Sequence, residues 1–213
     1  MLSYVYDLIL YTMSNLNIET WFPRPIGYVD DVCSDQRSSI LTHVNQYIDR
    51  EGTRRDGGLW VDSTHKTHDQ LHLDRELDGL VRVINDYASV FLVAQGWTDE
   101  AARTVVVAQM WANRSSGNDY LFPHVHPGSV LSGAYYLSAL DPVSSITFFR
   151  DLGNMFPEVD TLGNMFSDAT CSYKCAPGRL LLFRSDFMHG CEISSGAGVK
   201  VVLSFNLVKS VTP

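Results

Sequence analysis

The second half of the chain is a series of short β-rich runs, each closed by Gly, Pro, Ser or Asp, and this punctuation limits the fold more than anything else. Thr104 to Asn113, Val130 to Leu137, Thr147 to Arg150, Leu180 to Arg184 and Val199 to Leu207 are apolar and β-branched. They read as strands, the Val-rich first one as a buried strand. The first half reads differently. Ile40, Leu41, Val44, Tyr47 and Ile48 fall near helical spacing between Ser38 and Arg50, and Gly52 stops them. Leu77, Leu80, Val81, Ile84, Tyr87, Ala88 and Phe91 repeat at three and four between Leu73 and Ala94, with Gly96 as terminator. Trp21 to Val29 holds two prolines and predicts an extended segment at a sheet edge. Two helices followed by many short strands predict a mainly β fold with flanking helices, a β-sandwich or jelly roll.

Composition narrows the function. The 213 residues carry 16 Lys and Arg against 24 Asp and Glu, a net charge of -8. That balance disfavours nucleic acid as a partner. No apolar run reaches membrane-spanning length. Four cysteines (Cys33, Cys171, Cys175, Cys191) match no paired zinc pattern, and a reduced cytoplasmic chain is expected. Residues 1–18 read as an amino-terminal extension without the charged start of a signal peptide, Met13 being an alternative start, and residues 19–213 as one domain. A pentapeptide, Leu152 to Phe156, recurs as Leu162 to Phe166; two copies are too few for a solenoid and read as a local duplication in a loop.

The histidines carry the chemistry. His65, His68 and His72 have helical spacing but sit in a polar stretch that offers no apolar shell. His124 and His126 differ: two residues apart on an extended segment, they point to one side. A Pro177-Gly178 turn, an apolar strand and then His189 would bring a third imidazole to a barrel mouth. Neutral imidazoles there suit Fe(II), Zn or another borderline divalent metal. Lys200 lies eleven positions beyond His189, inside a strand of Val, Leu and Phe, where its ammonium calls for an anionic partner such as a carboxylate ligand.

Taken together, His124-x-His126-Pro-Gly-Ser-x-x-Ser-Gly-x-Tyr135-Tyr136, then Pro177-Gly-x-Leu-x-x-Phe-x-Ser-x-x-x-His189, then Lys200 before Ser204-Phe-Asn206, resemble the 2-oxoglutarate- and Fe(II)-dependent oxygenases. The resemblance is greatest to a group common in marine bacteria, cyanobacteria and their phages, and runs from about residue 21 to 208. It implies a double-stranded β-helix (jelly roll) with the metal at one open end. It implies Fe(II) on His124, His126 and His189, and 2-oxoglutarate with its far carboxylate on Lys200, helped by Tyr135, Ser204 or Asn206. It further implies O2 as co-reactant, release of succinate and CO2, and hydroxylation of a small molecule or a protein side chain, in the cytoplasm (the host's, if phage-encoded). Asn113, Arg114 and Arg184 are candidate substrate contacts, Arg150 a further one, and a homodimer is compatible. Two departures stand out. His126 occupies the place where the family pattern has Asp or Glu, so either all three ligands are histidine or one of the pair is not a ligand. Lys200 replaces a more usual Arg and cannot form a two-pronged fork to a carboxylate. Two other functions fit part of the pattern: a cupin-like metalloenzyme without 2-oxoglutarate, and a non-catalytic jelly-roll module. The cupin pattern wants a Glu near Val130, Leu131 or Ser132, where none stands.

Overall fold

The computed structural model describes residues 23–51, 60–61, 65–116, 120–139, 144–150, 168–192 and 197–210. The amino-terminal extension and the repeated pentapeptide lie outside the described residues. Eight strands build the centre: β4 (Val105–Ser116), β5 (Tyr120–His124), β6 (Leu131–Ser138), β7 (Ser145–Phe149), β8 (Thr170–Lys174), β9 (Leu180–Arg184), β10 (His189–Cys191) and β11 (Val199–Lys209). They divide between two antiparallel sheets. One runs β9-β6-β11-β4, the other β5-β10-β7-β8. That four-and-four arrangement is a jelly roll. Three short strands extend the edges: β1 (Ile26–Val29) beside β9, β2 (Trp60–Val61) beside β5, and β3 (His65–Lys66) beside β4.

The helices lie on one face of the larger sheet. α1 (Arg37–Glu51) and α2 (Asp78–Val93) present Ile40, Val44, Ile48, Leu80, Ile84, Ala88 and Leu92 to Met110, Ala112, Tyr135 and Phe205. These are the residues whose three-and-four spacing predicts the helices. α2 begins later than expected: Leu71 to Leu77 forms two 3-10 turns, the second capped by Asp74 accepting from the Glu76 N–H. Gly96 ends the segment at φ +93°. A five-residue α3 (Asp99–Arg103), capped by Thr98, was too short to leave a periodic signal. The opposite face of the larger sheet meets the smaller sheet through Ala134, Tyr136, Phe183, Val202, Ile146 and Phe148. Strand β6 is therefore buried on both faces, which explains its nearly unbroken apolar run.

Two Pro-Gly turns set the ends of strands. Pro127-Gly128 and Pro177-Gly178 each place glycine at positive φ (+88° and +84°), with the Ser129 N–H donating to His126 O (3.4 Å) and the Arg179 N–H to Ala176 O (3.0 Å). Proline fixes the first corner and glycine tolerates the second, as a type II turn requires. Where β6 passes β9 and β11 the approach is closest at Gly133. A Cβ there would stand 2.4 Å from Leu181 O and from the Phe205 ring. Gly133→Ala should therefore cost roughly 1–3 kcal/mol through overpacking. Urea unfolding would register a lowered midpoint; an unchanged one would mean that the sheet can open at this point.

Candidate metal centre

Strand pairing creates the site. His189 opens β10 and lies directly across from His124, the last residue of β5. His126 follows in the turn, its backbone N–H donating to Ser185 O (2.9 Å) and its ring packed 5.9 Å from Trp111. The three imidazoles converge with centroids 4.5 to 5.2 Å apart. One nitrogen from each lies within 4.8 Å of the others.

Local backbone orients two of the rings in the same way. His124 Nδ1 donates to Phe122 O and His189 Nδ1 to Phe187 O, each at 2.8 Å and each two residues back. A carbonyl can only accept, so Nδ1 carries the proton and Nε2 keeps its lone pair for a metal. Burial, with the neighbouring His124, lowers the His189 pKa to about 3 against the bond to Phe187 O; burial, His124 and Lys66 lower His126 to about 4. Both rings are neutral at neutral pH, the form that ligates. The donor set fits a divalent metal of intermediate softness.

The triad lies on a cavity of about 440 Å³ between the sheets. Inward-facing residues of β4 (Gln109, Trp111, Asn113) and β11 (Lys200, Val202, Ser204, Asn206) form one wall. Lys200 sits at the inner end, only 3% exposed, with Nζ 3.5 Å from Ser144 Oγ. Tyr136 and Cys191 flank this end, and burial pushes the Cys191 thiol up to about 11, against the opposing effect of Lys200. The outer end is polar. Ser185 donates to Ser132 Oγ, Ser132 to Asn206 Oδ1, Asn206 Nδ2 to Gln109 Oε1, and Gln109 Nε2 to the Asp69 carboxylate. All donors point one way, toward the negative charge, so each bond strengthens the next.

Of the residues predicted as ligand contacts, Lys200, Ser204, Asn206 and Asn113 line the cavity with the three histidines. Three others are placed elsewhere. Tyr135 faces the helix layer and donates its hydroxyl to Val32 O (2.7 Å), while its neighbour Tyr136 faces the cavity. Period-two alternation separates these two adjacent tyrosines. Arg114 likewise faces α1, with Nη1 2.8 Å from Asp49. Arg184 is exposed and pairs with Asp186 (3.2 Å). Arg150 is not among the lining residues. His68 bonds to Tyr47, and the His65 side chain lies outside the described residues. His43 bonds to Asp74 (2.7 Å). Among the described residues only the His124–His126–His189 group could hold a metal. Lys66, Asp69, Gln109 and Cys191 escaped the sequence reading. Gln109 shares the period-two face of Trp111 and Asn113; two-residue β3 leaves no pattern that would reveal Lys66.

Residues 109–206 match a family model. It is described as "Putative 2OG-Fe(II) oxygenase" and spans just under half of the chain. The match holds the whole triad and Lys200. No curated protein matches the sequence. Among solved structures, a prolyl-4-hydroxylase from Pseudomonas putida aligns at TM-score 0.60 and 8% identity, covering 88% of this chain and 94% of that one. The α-ketoglutarate-dependent epimerase SnoN of nogalamycin biosynthesis aligns at 0.64 and 12%, covering 87% and 79%. HygX from Streptomyces hygroscopicus, solved with nickel and 2-oxoglutarate, aligns at 0.58 and 12%, covering 88% and 84%. What these proteins share with this chain is the jelly-roll fold. No helix among the described residues is long and apolar enough to cross a membrane.

His189→Ala should abolish Fe(II) binding, because it leaves only the adjacent pair, whereas replacing His65, His68 and His72 together should leave it intact. Anaerobic equilibrium dialysis separates these outcomes; retained iron in the first variant would remove His189 from the site. The pKa shifts also predict a pH dependence. Below the ordinary value of 6.5 the unfolded chain takes up protons that folded His126 and His189 resist, so the metal-free protein loses stability from about pH 6.5 toward pH 4. Thermal melts between pH 7.5 and 4.5 should show this slope, reduced in His189→Gln; identical slopes would show that His189 is not held neutral.

Proposed function

We propose that the protein is an Fe(II)- and 2-oxoglutarate-dependent oxygenase that hydroxylates its substrate and releases succinate and CO2. The observation that carries this reading is the placement of Lys200: a deeply held cation at the inner end of the cavity whose wall bears three converging imidazoles. An iron–2-oxoglutarate pair supplies oxidative chemistry from O2 that no side chain can perform. The residues of this chain supply the rest.

His124, His126 and His189 would hold the metal through neutral nitrogens. With no carboxylate among the three, these ligands would not offset the charge of a divalent metal, and an anionic co-substrate would. Lys200 would hold the far carboxylate, and its ammonium provides charge without a fixed fork. Tyr136, Ile146, Cys191 and Val202 enclose that end and keep water from it. The low dielectric strengthens the lysine–carboxylate attraction. Ser204 accepts from Asn113 Nδ2 (3.2 Å), which fixes both polar groups midway along the cavity. The family match and the shared fold support the same reading.

Anaerobic titration with Fe(II) and then 2-oxoglutarate should produce the weak visible band of the chelate. Lys200→Ala should bind iron normally and 2-oxoglutarate about ten- to hundredfold more weakly, the loss expected for a charged hydrogen bond. Bound iron without the band in the wild type would favour a cupin-like metalloenzyme. Equal 2-oxoglutarate affinity in the two proteins would place the carboxylate elsewhere.

A further inference from the structure

The two histidine motifs contain serines that the metal chemistry does not use. Ser132 follows the His124–His126 pair and Ser185 precedes His189; each is 1% exposed and neither lines the cavity. The fold brings them together. Ser185 donates to Ser132 Oγ and Ser132 to Asn206 Oδ1, both at 2.8 Å. Because Ser132 spends its one proton on an amide oxygen, it can only accept from Ser185, and the order is fixed. Buried Asn206 donates in turn to Gln109 (2.9 Å), and Gln109 to Asp69 (3.1 Å) at the surface. Replacing such a cluster by apolar side chains of the same shape would cost little stability. What a fully bonded buried network adds is one fixed arrangement of the segments that carry it.

One of those segments is the turn of His126. The His126 N–H donates to Ser185 O (2.9 Å), the Ser185 N–H to Val130 O (3.3 Å), and the Val130 N–H to Leu207 O (2.8 Å). Ser185 lies one residue beyond β9 and Val130 one residue before β6, so both stand just outside the strands. Ser132 lies inside one: it pairs with Phe183 of β9 and with Asn206 of β11. The serine–serine bond therefore ties Ser185, and through its carbonyl His126, to a strand that is hydrogen-bonded on both sides. The backbone bond from Ser185 to Val130 is long for an N–H donor, so the hydroxyl supplies the firmer hold.

His126 is the imidazole that needs such a hold. Its two companions are oriented from within their own segments, His124 by Phe122 O and His189 by Phe187 O. Among the described residues no hydrogen bond reaches the His126 ring; it packs against Trp111 and the other two imidazoles. Metal-ligating histidines ordinarily owe their orientation to a hydrogen bond on the second ring nitrogen. A ring without one takes its place from its main chain, and Ser185 holds that main chain. We propose that Ser132 and Ser185 are positioning residues for His126, setting the third metal ligand through its backbone. The inference rests on the metal centre of the oxygenase reading and not on its co-substrate.

Nitrogen NMR of the histidine rings in the metal-free protein reads the three imidazoles separately. In Ser132→Ala and in Ser185→Ala the His126 ring signals should shift or broaden. Those of His124 and His189 should stay, because their Nδ1 bonds are local. Ser132→Thr keeps the hydroxyl and should restore the wild-type pattern. Ile84→Val thins the helix layer and should lower the melting temperature without moving His126, which separates positioning from lost stability. Co(II), added as a spectroscopic probe, should bind the two alanine variants about ten- to hundredfold more weakly and with altered visible bands. The inference is overturned if the His126 signals are unmoved in both alanine variants, if all three rings move together, or if the Co(II) bands match the wild type. A wild type that takes up neither Co(II) nor Fe(II) would instead overturn the oxygenase reading, and the ring signals would still decide this one.

Discussion

The register of β11 holds the site together. This strand is hydrogen-bonded on both sides, to β4 along its whole length and to β6 from Val201 to Leu207. Every second residue of its inner part faces the cavity: Lys200, Val202, Ser204 and Asn206. A slip of one residue against either neighbour would turn this row into the helix layer and bring Val201, Leu203 and Phe205 into the cavity. The buried helix face, packed on those same apolar residues, forbids the slip. The hydrophobic effect on one side of the sheet thus fixes the chemistry on the other. A shift in register appears between Asn206 and Leu207 against β4, beyond the last cavity residue, where it leaves that row intact.

The sequence disclosed the parts of the molecule whose signals are periodic or whose turns need particular residues. Leu80, Ile84, Ala88 and Leu92 repeat as a buried helix face must, and α2 stands where they place it. Pro127-Gly128 and Pro177-Gly178 mark turns because few other pairs tolerate those dihedral angles, and each turn opens a central strand. The extended prolines before β1 gave an edge strand. Strand β10 has three residues and β3 has two, too few for alternation to register, so their positions depend on tertiary pairing. Thr170 to Lys174 is mostly exposed and polar, and nothing in its composition marks it as β8.

The same division applies within the site. His124, His126, His189 and Lys200 were legible because such residues are unusual beside strands of Val, Leu and Phe. Tyr135 and Tyr136 were not separable in that way. Both are aromatic, adjacent and buried, and only the pleat decides which one meets a ligand. Arg114 and Arg184 show how little a positive charge says alone: each is paired with a nearby aspartate on the outside of the sheets. Lys66 and Asp69 gain their position from an edge segment that lies along β4 through side-chain as well as backbone bonds. Their proximity to the metal centre is a property of folding across more than forty residues of sequence.

Cys191 lies two residues beyond His189 and lines the same cavity. A thiol would be a hazardous neighbour for the iron and O2 of the proposed reaction, since its thiolate reacts readily with oxidants. Burial raises this group to about 11, which keeps the thiol protonated at neutral pH. Sulfur here behaves as a small apolar filler, and the packing that hides it from water also keeps it chemically quiet. Resistance of this thiol to oxidation thus becomes partly a property of a dry wall, one that a more hydrated neighbour at Ile146 or Val202 would erode.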